Sequence, residues 1–246
     1  MTLVREPKDR ICLPLDVDRL EDAEALVREM TPYVGVFKIG FQLFSAEGPK
    51  AVRRVIEQGG NVFLDLKFHD IPNTVACAAR VAARSGVSMF NLHASGGTEM
   101  MRAAVGAARA EAQTVGKAAP TVLAVTILTS LSDDDLEHVI GMRGSAGENV
   151  IRLAGIAKQA GVDGVISSPL EARALRESCG PDFVIVTPGV RPAGSAVGDQ
   201  KRVMTPSEAI KAGADVLVIG RPILKADDRV GAAAAILDEV TAACQA

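Results

Sequence analysis

The feature that most constrains the fold of this chain is a regular alternation of short apolar segments with longer amphipathic segments. Eight segments are short, apolar and rich in β-branched residues, which is typical of strands in a sheet buried on both faces. The predicted strands are 11–17, 35–40, one that begins at 61, 87–93, 121–127, 164–168, 183–187 and 216–220. The predicted helices are 20–30, about 49–58, 72–84, 98–112, about 149–160, 170–178, 206–211 and 230–243. This order predicts parallel strands joined by helical connections.

Eight strand–helix units within 246 residues are what a closed (β/α)8 barrel requires. An open doubly wound sheet is the alternative, but its first turn usually carries the glycine-rich sequence G-x-G-x-x-G. Here residues 15–18, which follow the first strand, read LDVD. The sequence shows no linker and no low-complexity segment. We therefore predict an α/β fold, a TIM barrel that forms a single domain over residues 1–246.

Composition excludes several classes of partner. The net charge is −3 and aromatic residues make up 3% of the chain, with no tryptophan, so we expect no nucleic-acid partner. Residues 1–10 are polar, unlike a signal peptide, and no apolar run reaches the length of a membrane span. The four cysteines are scattered, which is typical of a reducing compartment. These observations predict a cytoplasmic protein without a membrane partner.

The most informative motif lies at residues 65–74, DLKFHDIPNT, at the end of the predicted third strand. Because side chains alternate along a strand, Asp65 and Lys67 are expected to point to the same face. Asp70 is expected in the turn before Pro72, a residue that suits the first turn of a helix. Charges at the end of a buried strand are costly unless they pair or take part in chemistry. The motif therefore predicts either a structural ion pair or a functional site.

Further polar residues stand at the predicted carboxyl ends of other strands, where barrel enzymes build their active sites. They are Asp16, Asn91, His93 and Thr129. Lys38 lies within an otherwise apolar strand, so its ammonium group needs carboxylate partners. We predict one alternating-charge set, with the members Lys38, Asp65, Lys67 and Asp70. A purely structural network that closes the barrel is the alternative.

The loops after the seventh and eighth strands are where barrels commonly bind phosphate. Arg191 follows the seventh predicted strand, and Gly220 and Arg221 follow the eighth. Arginine binds phosphate with two parallel hydrogen bonds, and glycine lets the backbone approach a ligand closely. A polar, glycine-bearing connection at 192–202 suggests a lid or binding loop. We predict a phosphate site here, with a structural role for these residues as the alternative.

Four segments together resemble the orotidine 5′-phosphate decarboxylase family in its bacterial form. They are DLKFHDIPNT at 65–74, TPGVR at 187–191, GDQKR at 198–202 and VIGRP at 218–222. The first is highly specific, whereas the last would be weak evidence alone. The resemblance extends over essentially the whole chain and implies conversion of orotidine 5′-phosphate to UMP and CO₂, with no metal and no organic cofactor.

The resemblance also implies a role for each site residue. Lys67 would donate the proton to pyrimidine C6, flanked by Asp65 and Asp70, while Lys38 completes the charged network. The remaining substrate contacts would come from Asp16 and Lys38 at the ribose, Thr129 at the pyrimidine edge, Arg191, Gly220 and Arg221 at the phosphate, and Gln200 between phosphate and base. Family members are homodimers, so Asp70 and Thr74 would reach the neighbouring subunit's site.

Other functions stay open at this stage. A divalent metal could in principle be bound by His69, His93, Asp65 and Asp70. Two nearby ammonium groups would repel a cation, however, so we predict no metal. One alternative is a metal-dependent sugar-phosphate decarboxylase or aldolase with the same D-x-K-x-x-D core. Such an enzyme would need an acidic metal ligand on the second strand, where this chain has Lys38. A phosphate-ligand sensor without catalysis is the second alternative.

Overall fold

The protein is described by a computed structural model that covers residues 4–192 and 204–245. Its eight strands are β1 Ile11–Pro14, β2 Val36–Ile39, β3 Asn61–Phe68, β4 Met89–His93, β5 Thr121–Val125, β6 Gly164–Ile166, β7 Val184–Pro188 and β8 Val216–Val218. They are parallel and pair in chain order, and β1 also pairs with β8. This closed barrel confirms the predicted fold class.

The α-helices in the described part of the chain surround the barrel. They are α1 Leu20–Met30, α2 Phe41–Glu47, α3 Pro49–Glu57, α4 Pro72–Ser85, α5 Thr98–Thr114, α6 Ala146–Gln159, α7 Ala172–Cys179, α8 Pro206–Lys211, α9 Arg221–Leu224 and α10 Arg229–Gln245. The sequence did not predict α2 and α9, which have only seven and four residues. Gly48, with φ of 61°, separates α2 from α3, and Pro49 starts α3. Segments this short carry too little apolar periodicity to be recognised.

The core has two layers because the strands are covered on both faces. Inside the barrel lies an apolar cluster, whose members are Cys12, Val36, Phe63, Met89, Leu123, Val186 and Val216. A larger apolar layer, which includes Phe37 and Phe90, fills the space between the strands and the helices. On each of three strands a polar residue stands two positions after a member of the interior cluster. The polar residues are Lys38 on β2, Asp65 on β3 and Asn91 on β4. The alternation of side chains therefore places these three polar residues above the apolar floor.

The end of β3 departs from a regular strand. Leu64 pairs with Phe90, but the next pair joins Phe68 to Leu92, so three residues of β3 face one residue of β4. Within this bulge Lys67 has φ of 47°, in the left-handed region. A non-glycine residue held there costs about 1–3 kcal/mol, and such strain concentrates at functional sites. The simple alternation expected from the sequence therefore does not continue to the end of β3.

Candidate active site

The centre of the candidate site is an ion-pair chain at the carboxyl end of the barrel. The Lys67 ammonium nitrogen, Nζ, lies 2.6 Å from Asp65 Oδ1, and Lys38 Nζ lies 3.3 Å from Asp65 Oδ2. Lys38 Nζ is also 3.6 Å from Asp16 Oδ1. Two ammonium groups thus alternate with two carboxylates, so the set is neutral overall. The structure brings together three members of the predicted set, Lys38, Asp65 and Lys67, and adds Asp16.

The ion-pair chain is largely buried, which limits its contribution to the stability of the fold. The side chains of Lys38 and Asp65 are 13% exposed and that of Lys67 is 26% exposed. Burial alone would lower the pKa of Lys38, but Asp65 and Asp16 outweigh it, so the pKa of Lys38 is raised and the group stays protonated. An ion pair this buried gains little net stability, since desolvation offsets the attraction between the charges. A purely structural role therefore explains the cluster poorly.

The thiol of Cys12 lies beneath the ion-pair chain. Cys12 is fully buried in the barrel interior. Burial raises the pKa of the Cys12 thiol, and the nearby Asp65 and Asp16 carboxylates add to this effect. The thiol therefore stays protonated and belongs to the apolar floor of the site.

One residue that the sequence placed at a strand end without assigning it a role is Asn91, which is fully buried on β4. Its side-chain nitrogen donates a hydrogen bond of 2.7 Å to Asp65 Oδ1. Its side-chain oxygen accepts a hydrogen bond of 2.8 Å from the backbone N–H of Lys67. Its position near the carboxyl end of a strand was the available signal, but the two contacts depend on the bulge in β3, which the sequence does not reveal.

Asp70 and Thr74 lie apart from the ion-pair chain. Both are exposed, and Asp70 Oδ1 accepts a hydrogen bond of 2.6 Å from the N–H of Ile71. Among the described residues Asp70 forms no ion pair with Lys38 or Lys67. Within one subunit the fourth member of the predicted set is therefore outside the cluster, and its role stays a prediction.

Two histidines flank Lys67. The rings of His69 and His93 are 5.4 Å apart between centroids, with an angle of 37° between their planes. Burial lowers the pKa of His93, and the neighbouring His69 and Lys67 lower it further. His93 is therefore neutral at physiological pH. The Phe41 ring centroid lies 5.7 Å from Lys67 Nζ, within the range of a cation–π contact.

The predicted phosphate and pyrimidine residues lie at the same end of the barrel. Arg191 is buried, and its backbone N–H donates to the Met204 carbonyl at 2.9 Å. Arg221 starts α9, directly after Gly220, and a side chain at position 220 would come within 2.7 Å of Pro14 Cγ. Thr129 is half-buried in the loop after β5. Gln200 lies outside the described residues.

Asp16 of the ion-pair chain and Arg221 share a cavity. Asp16 and Arg221 line one cavity of about 510 Å³ between α1 and the start of α10. Asp16 in turn contacts Lys38, so this cavity adjoins the ion-pair chain. Neither Lys38 nor Lys67 lines this cavity, whose other charged members are Asp22, Glu29, Lys225 and Arg229.

Comparison with known proteins decides the family. Residues 9–236 match the family model described as orotidine 5′-phosphate decarboxylase / HUMPS family. This chain belongs to that family. Family membership confirms the resemblance seen in the sequence and the predicted enzyme class, a carboxy-lyase.

Individual members of the decarboxylase family are similar over nearly their full length. Proteins named orotidine 5′-phosphate decarboxylase from Moorella thermoacetica and Trichlorobacter lovleyi are 56% and 54% identical to this chain. The first alignment covers 95% of this chain and 92% of the relative, and the second covers 98% of both. The crystal structure of orotidine 5′-phosphate decarboxylase from Lactobacillus acidophilus has a TM-score of 0.83 at 38% identity, covering 94% of this chain and 98% of that one.

Two features of residues 4–192 and 204–245 concern metals and membranes. No group of three or more His, Cys, Asp or Glu side chains is placed to hold a metal ion in these ranges. Within the same ranges, no helix has the length and apolarity needed to cross a membrane. The predicted cytoplasmic location and the predicted absence of a metal stay predictions.

Proposed function

We propose that this chain decarboxylates orotidine 5′-phosphate to UMP and CO₂, the last step of de novo pyrimidine nucleotide synthesis, without a metal or an organic cofactor. The observation that carries the proposal is the Lys67 ammonium group, held 2.6 Å from Asp65 at the barrel mouth of a chain that matches the decarboxylase family. The direct test is loss of the orotidine 5′-phosphate absorbance with the purified protein.

The chemistry needs a fixed positive charge beside the reacting carbon. Loss of CO₂ leaves an electron pair on pyrimidine C6 in the plane of the ring, where the π-system cannot delocalise it. In our proposal the Lys67 ammonium stabilises this carbanion and then protonates C6, which completes UMP. Asp65, 2.6 Å away, holds the ammonium group in place. The rate enhancement required corresponds to about 20 kcal/mol, near the upper end of the enzymatic range.

Binding of the rest of the substrate is assigned to the surrounding residues. Asp16 and Lys38 would contact the ribose, and Thr129 the pyrimidine edge. The phosphate would be held by Arg191, Gly220 and Arg221, with Gln200 joining phosphate and base. Interactions with a non-reacting phosphate can supply energy that organises the reacting centre and raises kcat. Arg191 follows β7, and Gly220 and Arg221 follow β8, at the end of the barrel where phosphate is commonly bound, which supports placing the phosphate on this side.

We further propose a homodimer in which Asp70 and Thr74 complete the neighbouring subunit's site. Asp70 follows the end of β3 by two residues, and Pro72 begins α4 two residues later, so the turn is short and restrained. Ile71, between them, is 67% exposed, so this turn has an apolar side chain available for contact with a partner. A two-fold interface at this turn would present each Asp70 to the other subunit.

The phosphate assignment predicts a substrate-dependent loss. Arg221→Ala should lower kcat/KM for orotidine 5′-phosphate by about 100- to 1,000-fold, because one or two charged hydrogen bonds contribute roughly 1.5–3 kcal/mol each. The same substitution should change kcat/KM for orotidine, which lacks the phosphate, by less than about threefold. Steady-state kinetics on both compounds measures the difference.

Arg84→Ala is the matched control, since Arg84 lies near the end of α4 and pairs with Glu111 at 2.7 Å, away from the predicted phosphate residues. It should leave the ratio of kcat/KM between the two compounds unchanged. Equal losses on both compounds for Arg221→Ala would contradict the phosphate role.

The metal-dependent alternative is not favoured by the site. Its acidic ligand on the second strand would stand where Lys38 projects an ammonium group 3.3 Å from Asp65. With lysine at this position, two ammonium groups balance two carboxylates. A divalent cation would have to displace the Lys38 ammonium group.

A further inference from the structure

The bulge in β3 leaves the backbone of Lys67 without a regular partner strand. Between the pairs Leu64–Phe90 and Phe68–Leu92, only Asn91 of β4 faces the bulge. The backbone N–H of Lys67 is therefore bonded by a side chain, the Asn91 amide oxygen at 2.8 Å. This contact takes the place of a ladder hydrogen bond and holds Lys67 in its left-handed conformation.

The chemistry of the two neighbours determines the orientation of the Asn91 amide. A backbone N–H needs an acceptor, so the amide oxygen must face Lys67. Asp65 Oδ1 accepts hydrogen bonds, so the NH₂ group must face Asp65. No other natural side chain of this size offers an acceptor and a donor in a planar fork. Asn91 is fully buried, so water does not reach it to replace either bond. The same Asp65 oxygen also accepts from Lys67 Nζ, which closes a ring of contacts through Asn91, Asp65 and Lys67.

We propose that Asn91 is a positioning residue for the reaction: it fixes the backbone of Lys67 with its oxygen and the carboxylate of Asp65 with its nitrogen, so that the ammonium group is aimed at pyrimidine C6. This inference rests on the proposed function, because it assigns the aiming of the same proton donor. Asn91 acts through Lys67 and Asp65. A misplacement of about 1 Å in such a group can cost on the order of 100-fold in rate.

The test compares Asn91→Ala with wild type in three measurements. They are kcat and KM for orotidine 5′-phosphate, the dissociation constant of UMP by calorimetry, and the exchange of the UMP C6 hydrogen for deuterium in D₂O by NMR. By microscopic reversibility, the group that protonates C6 also removes that proton. We expect kcat and the exchange rate to fall together by about 100-fold, with KM and the UMP dissociation constant within about threefold.

Asn149→Ala is the matched control for the loss of a buried amide. Asn149 is 2% exposed and donates to the carbonyls of Arg143 and Ser145 at 2.9 and 3.0 Å, at the start of α6. This variant should lose thermal stability, as Asn91→Ala should, but keep kcat and the exchange rate within about twofold. Circular dichroism melts set the assay temperature well below both transitions.

Each result decides the inference. If folded Asn91→Ala keeps kcat within about threefold of wild type, or if it weakens UMP binding while the exchange rate is unchanged, Asn91 is not a positioning residue. If Asn91→Ala does not fold, Asn91→Asp serves instead, because it keeps the volume and the acceptor for Lys67 but turns a second carboxylate toward Asp65. Full kcat in that variant would also overturn the inference. A wild-type protein without decarboxylase activity would overturn the proposed function and this inference with it, whereas an active wild type with an unaffected Asn91→Ala overturns this inference alone.

Discussion

Replacing Lys67 with alanine is expected to lower kcat for orotidine 5′-phosphate by about 10,000-fold or more, because one change removes both the proton donor and the charge that stabilises the carbanion. The variant should still bind UMP, since Arg191 and Arg221 remain to hold the phosphate. Stopped-assay detection of UMP measures the residual turnover, and calorimetry measures the binding. Lys67 is 26% exposed and lies at the barrel mouth, so the substitution leaves no cavity in the apolar core.

Lys117→Ala is a suitable control for this experiment. Lys117 follows α5, and its ammonium nitrogen donates to the Arg84 carbonyl at 2.8 Å, away from the ion-pair chain. Its removal should leave kcat within about twofold of wild type, as is usual for surface substitutions. If Lys67→Ala retained a tenth of the wild-type kcat, the assignment of Lys67 as proton donor would be wrong.

Mixing two inactive variants, Lys67→Ala and Asp70→Ala, is expected to restore activity. If each Asp70 works in the partner's site, a mixed dimer has one site with intact Lys67 and intact Asp70 and one site that lacks both. Random pairing makes half of the dimers mixed, so the mixture should reach roughly a quarter of wild-type activity per subunit. The measurement is kcat per subunit after exchange under mild denaturant, followed by dilution.

The controls for this experiment are each variant treated alone and the two variants mixed without an exchange step. All three should stay inactive. Size-exclusion chromatography with a tagged subunit verifies that subunits have exchanged. Exchange without any return of activity would show that Asp70 acts within its own chain or not at all.

The fold was accessible from the sequence because its determinants are local. Short β-branched segments that alternate with helical periodicity predict a parallel barrel, and the strand order then follows from the usual adjacency of successive units. The same reasoning located Lys38 and Asp65, because both lie on strands whose neighbouring residues are apolar. The structure adds that Lys38 and Lys67 share the two oxygens of Asp65.

The contacts that depend on register were not accessible. The bulge in β3 arises from how it pairs with β4, and neither strand alone signals that three residues will face Asn91. Without the bulge, Asn91 would not contact the Lys67 backbone. The sequence therefore placed Asn91 at a strand end but did not reveal its role. Asp70 illustrates a second limit: its motif predicted membership of the charged set, but one subunit leaves it exposed in a turn.

The central claim is that this chain decarboxylates orotidine 5′-phosphate without a metal. It is tested most directly by following the absorbance of orotidine 5′-phosphate with the purified wild-type protein, before and after dialysis against EDTA. We predict conversion to equimolar UMP and CO₂, at a rate that EDTA does not change. A protein that leaves the compound intact, or one whose activity EDTA abolishes and a divalent cation restores, would contradict the account.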